Sequence, residues 1–416
     1  MESIKALRGF RDVYGDEVEK FSLIEGVLRH FLGLLGYKEI QIPALEKTEL
    51  FKRSIGDTTD IVEKEMFTFV DRSGDSVTLR PEATAGMVRA FLQGSFYARE
   101  RVSRLFTMGP MFRHERPQKG RFRQFSQMDV EVFGVSEPII DAELIWMIRL
   151  IMDRLGCSGY AIEINSVGCK GCRDDFRQAL VGFLEGRKER LCEDCLGRLT
   201  RNPLRIFDCK VPQCGEVIQD APVLFDFLCG ECRDHFDQCL EFLKGFDVPV
   251  IVNKRLVRGL DYYTRTVFEV TSSELGAQKA FVAGGRYDNL VKEMGGPSIP
   301  GIGFAVGMDR LASIIPELPP RKGYLYFLAA VGERARTHLV PALKAFAASG
   351  TRLAYAPSAA SLKSQMKYAA SIGADFVVIV GDEEVERGKA LVRDMKDGNQ
   401  REVALDPEAW PDLAKP

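Results

Sequence analysis

Only four histidines occur in the 416 residues, at positions 30, 114, 235 and 338, and no G-x-S-x-G elbow accompanies them. Nothing here supports a Ser-His-Asp hydrolase. The G-x-x-x-x-G-K-[ST] phosphate loop is also missing, and the nearest glycine pattern, Gly301-Ile-Gly303 followed by Gly307, has the wrong last spacing for a dinucleotide fingerprint. A bound ATP would need some other device. No apolar run approaches bilayer-spanning length and residues 1–10 carry no apolar signal core, so no membrane partner is expected and the cytoplasm is the expected compartment. Net charge is −2, which provides no overall basic field, so any nucleic-acid footprint must be local. No internal repeat or low-complexity tract is evident.

What is present is an ordinary soluble composition, 45% hydrophobic and 28% charged, in a chain long enough for two or three domains. Its most informative stretch runs from Arg104 to Gly134. Residues 105–113 and 122–133 are rich in aromatic and β-branched side chains, while 114–121 hold Pro117, Gly120 and four charged residues, which predicts two strands joined by a charged loop. Strand side chains alternate between faces. Even positions (Phe106, Met108, Phe112, Phe122, Met128, Val130, Val132) form an apolar face; odd positions (Arg113, Arg123, Phe125, Gln127, Asp129, Glu131) form a polar one. A solvated outer face is also polar, but an Arg pair with a lone Phe and Gln suits a phosphate, a stacked ring and a hydrogen-bonding ligand better than Lys, Glu and Thr would. From Arg113 to Arg123, ends included, five residues are Arg or Lys and one is Glu, the most evident basic cluster beside aromatics.

This stretch resembles motif 2 of the class II aminoacyl-tRNA synthetases, and residues 112–125, FRHERPQKGRFRQF, are similar to the histidyl-tRNA synthetase version. The resemblance implies that Arg113 holds the α-phosphate of ATP, that Arg121 belongs to the ATP site, that Phe125 stacks on adenine, and that the loop from Glu115 to Arg121, with Arg116, Gln118 and Lys119, meets the tRNA acceptor end. Residues 17–35 read as an amphipathic helix with Leu23, Ile24, Val27, Leu28, Phe31 and Leu34 on one face, followed by a strand over 37–42 that ends at Pro43. This looks like motif 1, which implies a homodimer. A hairpin over 65–80 runs into Arg80-Pro-Glu-Ala-Thr84; Pro81 and Thr84 suit a helix start, and the resemblance places Glu82, Ala83 and Thr84 at the amino acid.

Leu256-Val-Arg-Gly-Leu-Asp-Tyr-Tyr263 is similar to the signature peptide of the histidyl-tRNA synthetases. An Arg in so apolar a segment is costly to bury without an anion, and a phosphate would supply one. Arg310, in the first turn of a helix that begins near Asp309, sits where the dipole disfavours a cation by ~0.3 to 1 kcal/mol; it resembles the motif 3 Arg, which binds the γ-phosphate. The resemblance implies histidine recognition by Glu82, Ala83, Thr84, Arg113, Gln127, Glu131, Arg258, Tyr262 and Tyr263, and catalysis by Arg113 and Arg258, with ATP and Mg²⁺.

These motifs imply an α+β protein with an antiparallel-sheet catalytic core flanked by helices (1–168 and 249–318), a helical Cys-rich insertion (169–248) and, after a Pro-rich linker, a C-terminal α/β anticodon-binding domain (323–416). Strand-like runs at 324–331, 352–355 and 376–380, separated by helical stretches, predict a mainly parallel βαβ sheet there. Lys363 and Lys367 lie on a basic helix face that is either solvated or in contact with tRNA(His). The implied activity is ATP-dependent ligation of L-histidine to tRNA(His). The competing reading is a synthetase-like regulatory subunit of histidine biosynthesis; such proteins typically lack the anticodon domain and parts of the signature. Eight of ten cysteines fall in pairs: Cys169 with Cys172, Cys192 with Cys195, Cys209 with Cys214, and Cys229 with Cys232. They are either structural zinc ligands, two pairs per ion, or small apolar fillers, and spacing does not say which pairs combine. The insertion is expected to be too small and polar to be well supported by its own core.

Overall fold

The computed structural model describes residues 4–413, apart from 57–58, 117–119, 202, 210, 259, 261, 277–278, 318–322 and 359, with only the backbone described at 201, 204, 205 and 208. The chain divides into two units, Met1–Glu317 and Leu318–Pro416. In chain order the strands of the first unit are β1 (Lys38–Glu39), β2 (Leu45–Lys47), β3 (Phe67–Val70), β4 (Ser76–Leu79), β5 (Ser103–Phe112), β6 (Gln124–Phe133), β7 (Tyr160–Ser166), β8 (Ile251–Val252), β9 (Thr264–Ser272), β10 (Ala280–Arg286) and β11 (Gly301–Gly307). Eight form one sheet in the order β1-β5-β6-β11-β10-β9-β7-β8, antiparallel throughout its middle and parallel only at its two edge pairs. The other three make a small antiparallel sheet, β2-β4-β3.

The two-residue alternation decides how the large sheet is used. Met128, Val130 and Val132 of β6 are wholly buried in one apolar cluster with Ile24, Leu28 and Leu32 of the helix Asp16–Leu34 and with the helices Pro138–Arg154 and Gly230–Gly245. Gln127, Asp129 and Glu131, on the opposite face, are buried as well, so this is not a solvated surface. They pair in register with Gly307, Ala305 and Gly303 of β11, whose small side chains leave the space above the sheet open. The alternation stops where β6 begins. Phe122, expected in the core, lies beneath the Arg11 guanidinium 4.1 Å away, and Arg123, expected on the polar face, turns back to the carbonyls of Glu115 and Arg8, each at 3.4 Å. The strand expected over 37–42 is reduced to Lys38–Glu39.

Helices Lys170–Glu185, Glu193–Arg201 and Pro212–Gln219 enclose an apolar cluster of their own, including Phe176, Leu180, Leu184, Val217 and Leu224, so this segment is better supported than its polar composition suggests. The last helix of the segment, Gly230–Gly245, instead sends Phe236, Cys239 and Leu243 into the core under the large sheet. The chain is not free of repeats. Cys169–Leu180 and Cys229–Leu240 share Cys-x-x-Cys-Arg-Asp-x-Phe-x-Gln-x-Leu, and each cysteine that opens the pattern precedes the first residue of a helix.

In the second unit β12 (Leu325–Val331), β13 (Arg352–Tyr355), β14 (Phe376–Gly381), β15 (Lys389–Asp394) and β16 (Gln400–Ala404) form a sheet in the order β13-β12-β14-β15-β16. The first three are parallel, as βαβ alternation requires, and the last two add an antiparallel extension. The helix expected after β12 is divided at His338 into Glu333–Thr337 and Leu339–Ser349.

Candidate functional site

Above the polar face of the large sheet lies a cavity of about 300 Å³. Its floor is built from small residues, Ala283, Gly303, Ala305 and Gly307, on neighbouring strands β10 and β11. A Cβ at Gly303 would run into the Glu131 carboxylate and the Val130 carbonyl, so only glycine lets Glu131 lie across the strand.

Cations gather on one side. Arg113 donates from Nε to the Pro81 carbonyl at 2.8 Å and holds its guanidinium 5.4 Å from the Phe125 ring. Arg121 pairs with Glu115 at 2.9 Å, and Arg310 donates to the Ala280 carbonyl at 2.6 Å. Burial, then the charges of Arg121 and Arg113, hold the Arg310 pKa below its usual value. Three guanidiniums thus face one space, with Glu115 shared between Arg121 and, at 4.0 Å, Arg113, which leaves an excess of positive charge that a polyanion would relieve. Asp309 fixes the start of this helix by accepting from the Ser126 N–H at 2.7 Å and from Arg11 at 2.8 Å. Arg258 reaches the cavity from the loop before β9. Its guanidinium pairs with a protein carboxylate, Glu269. The buried Nε of Arg258 has no hydrogen-bond acceptor among the described residues.

Carboxylates gather on the other side. Glu82 accepts from the backbone N–H groups of Thr84 (2.8 Å) and Ala85 (2.9 Å). Thr84 Oγ1 donates to Glu131 at 2.7 Å, Tyr287 donates to the other Glu131 oxygen, and Gln127 Nε2 donates to Asp129 Oδ1 at 2.9 Å. Asp129 Oδ2 is buried with no donor among the described residues. Burial raises all three acids: Glu82; Asp129, well above the usual range, with help from Glu131 and Glu82; and Glu131, to about 8 despite its two donors. Tyr262 and Tyr263, rings 4.7 Å apart, form the adjoining wall. An orphaned donor at Arg258 and an orphaned acceptor at Asp129, in one cavity, suit a ligand carrying both charges.

A family model described as "Histidyl-tRNA synthetase" matches residues 9–311, and one described as "Anticodon binding domain" matches residues 328–407. The chain belongs to the histidyl-tRNA synthetase family. It is 49% identical over 405 residues to the histidine–tRNA ligase of Desulfosudis oleivorans, covering 97% of this chain and 96% of that one. The corresponding protein of Aquifex aeolicus is 46% identical over 403 residues, 97% of this chain and 99% of that one. The apo histidyl-tRNA synthetase of S. aureus superposes with a TM-score of 0.81 at 32% identity over 99% of both chains.

For a histidyl-tRNA synthetase, the sequence-expected residues Glu82, Thr84, Arg113, Arg121, Phe125, Gln127, Glu131, Arg258, Tyr262, Tyr263 and Arg310 all line this cavity. Ala83 does not; its methyl group is wholly buried in the adjoining apolar core. Asp129, Glu269 and Tyr287 line the cavity but were given no role from sequence, and Glu115, expected in the loop that meets the tRNA acceptor end, lines it too. Strand parity pointed to Asp129; nothing local marks Glu269 or Tyr287. Arg116 is exposed, and Gln118 and Lys119 lie outside the described residues. Lys363 and Lys367 are exposed one turn apart on the helix Leu362–Ser371 of the second unit. The paired cysteines converge into two tetrads, Cys169/Cys172/Cys229/Cys232 and Cys192/Cys195/Cys209/Cys214, the four sulfurs of each within 4.8 Å of one another. Among the described residues no helix is long and apolar enough to cross a membrane.

Proposed function

We infer that the chain is a histidine–tRNA ligase whose amino-acid activation takes place in the cavity above the large sheet. Full-length identity of 49% to a ligase, with an anticodon-binding match at residues 328–407, carries this reading over the regulatory-subunit alternative. Polarity of the cavity supports the division of labour. Histidine fits the carboxylate side, with Glu82, Thr84, Gln127, Glu131, Tyr262 and Tyr263 around its polar atoms and Asp129 added to the set. ATP fits the guanidinium side, with its adenine on Phe125 and its outer phosphates near Arg121 and Arg310.

In the first step the histidine carboxylate attacks the α-phosphate, the bond to the β-phosphate oxygen breaks, and pyrophosphate leaves with that electron pair. Two anions must meet, so the barrier is largely electrostatic. Arg113 and Arg258 neutralise the reacting centre, and the free Nε of Arg258 supplies a directed hydrogen bond there. Glu269 keeps the Arg258 guanidinium in place. Glu115 and Glu269 are the carboxylates that would meet a magnesium ion bound to ATP, which would supply charge neutralisation at the outer phosphates. In the second step the ribose hydroxyl at the tRNA 3′ end displaces AMP, with the loop around Arg116, Gln118 and Lys119 at the acceptor end and Lys363 and Lys367 on the second unit as phosphate contacts.

Two further parts of the reading are finer. Leu23 and Leu34, expected on the buried stripe of the helix Asp16–Leu34, are 41% and 69% exposed, which supports a homodimer through this helix. Four sulfurs about 2.3 Å from a tetrahedral zinc stand about 3.8 Å apart; the Cys169–Cys172 and Cys192–Cys209 separations of 3.6 and 3.8 Å support one zinc ion in each tetrad. The deciding experiment is histidine-dependent exchange of labelled pyrophosphate into ATP, followed by charging of tRNA(His). Exchange with histidine alone among amino acids is expected; binding of histidine with no exchange would restore the regulatory reading.

A further inference from the structure

We propose that the ion held by Cys169, Cys172, Cys229 and Cys232 positions the Tyr262–Tyr263 wall of the histidine pocket through Arg173, an inference that rests on the zinc reading above. The two copies of the Cys-x-x-Cys-Arg-Asp pattern each put one cysteine just before a helix and the next in its first turn, so the tetrad joins the N-termini of Lys170–Glu185 and Gly230–Gly245. Both helix dipoles favour the net negative charge of a zinc tetrathiolate there. The junction is already tight. The Cys229 N–H donates to Cys172 Sγ at 3.2 Å, and Gly168, at φ +59°, leaves no room for a Cβ, which would stand 2.6 Å from the Cys172 Cβ.

Two links run from this junction to the pocket. Arg173, next to Cys172, donates from Nη1 to the Tyr263 carbonyl at 2.9 Å. The Gly168 carbonyl accepts from the Arg265 N–H at 2.8 Å, and Arg265 is held at φ 49°, a conformation that a non-glycine residue adopts only when its surroundings impose it. The segment 263–265 is therefore gripped at both ends by residues 168–173, whose place depends on the cross-link to the second helix. The equivalent arginine of the other copy, Arg233, donates to the Phe225 carbonyl at 2.8 Å instead. Buried Cys195 and Cys214 of the second tetrad belong to the insertion's own apolar cluster, which gives that ion a supporting role within the insertion.

The test compares wild type with Cys232→Ser, Cys195→Ser, Arg173→Ala and Arg173→Lys, all purified without chelator. Zinc per chain, the visible spectrum after cobalt exchange, and KM and kcat from pyrophosphate exchange are measured. Wild type should carry two zinc ions, one per tetrad, and cobalt should show tetrahedral thiolate bands. Cys232→Ser and Cys195→Ser should each lose one ion. Only Cys232→Ser should raise the histidine KM, by about 10- to 100-fold, as loss of an outer support does, with the ATP KM little changed. Arg173→Ala should keep both ions and raise the histidine KM, and Arg173→Lys should recover part of the loss. Zinc-free wild type would overturn the metal reading itself. A histidine KM unchanged in zinc-replete Arg173→Ala would overturn the positioning role and leave the metal reading standing. If Cys232→Ser does not fold, the Arg173 pair decides alone.

Discussion

At the scale of single residues, the site depends on burying charges that water would otherwise solvate, which costs about several kcal/mol per ion unless each is paired. Arg258 illustrates the consequence. Its salt bridge to Glu269 stabilises the guanidinium before any ligand arrives, while its Nε is left for the reacting centre. Arg258→Ala should bind histidine in calorimetry yet lose adenylation by about 10²- to 10³-fold, mostly in kcat. The Arg258→Ala/Glu269→Gln double variant separates the two effects, since recovery of activity there would assign the loss to a stranded Glu269 rather than to missing catalysis. Glu131 gives a pH prediction. Its carboxyl is raised to about 8, so between its ordinary value of 4.5 and 8 the folded protein holds a proton the unfolded chain has released. Its contribution to stability therefore falls as pH rises through that window. A cationic ligand favours the ionised form, so histidine binding should tighten from pH 6.5 up to about 8 and then level off. In Glu131→Gln this component of the pH profile should vanish, and a profile parallel to wild type would exclude Glu131 as its source.

At the scale of elements, β6 does two jobs because its side chains alternate. A one-residue slip would exchange Met128, Val130 and Val132 for Gln127, Asp129 and Glu131 on the core side, losing about 1.5 to 3 kcal/mol for each apolar side chain exposed, before counting the acids driven into the core. Register here is therefore strongly specified, and parity read from sequence located one wall of the site. What parity did not reveal is the floor. Gly301, Gly303 and Gly307 fail as a nucleotide fingerprint because they belong to a strand, where Gly301 makes room for the Tyr287 ring and Gly303 for the Glu131 carboxylate. Gly303→Ala should raise the histidine KM by about tenfold or more, because the added methyl displaces a hydrogen-bonded carboxylate. Gly182→Ala is the matched control: with nothing within 4 Å of its Cβ position, inside a helix, it should stabilise the chain by about 0.4 to 1 kcal/mol and leave KM untouched. A loss of histidine affinity in the control would mean that glycine replacement acts through general destabilisation.

At the scale of the whole molecule, the chain is two units joined near residue 318, each with its own sheet and core clusters. All the cavity-lining residues belong to the first unit. Removing residues 323–416 should therefore leave histidine-dependent pyrophosphate exchange detectable while charging of tRNA(His) falls sharply; equal loss of both would make the second unit a folding support for the first. In the intact chain, Lys363→Ala/Lys367→Ala should lower the slope of log affinity for tRNA against log salt by up to about two, since each phosphate contact released contributes close to one. An unchanged slope would return both residues to the solvated face on which they sit.

The sequence by itself determined the family, the order of the motifs, the alternation that sorts β6 into core and site, and the residues of the signature peptide. These are local or short-range patterns, set by strand and helix periods and by side-chain type. Tertiary structure alone decided which distant groups meet. The partner of Arg258 lies eleven residues away on a neighbouring strand, Tyr287 meets Glu131 across 156 residues, and the cysteine pairs sort into 169/172 with 229/232 and 192/195 with 209/214. Spacing within a pair is a property of the helix start; the choice of partner pair is made by the packing of two helices whose repeat was too short to stand out in the chain. The raised acids likewise follow from burial, and burial depends on what the rest of the fold lays over a side chain rather than on its neighbours in sequence.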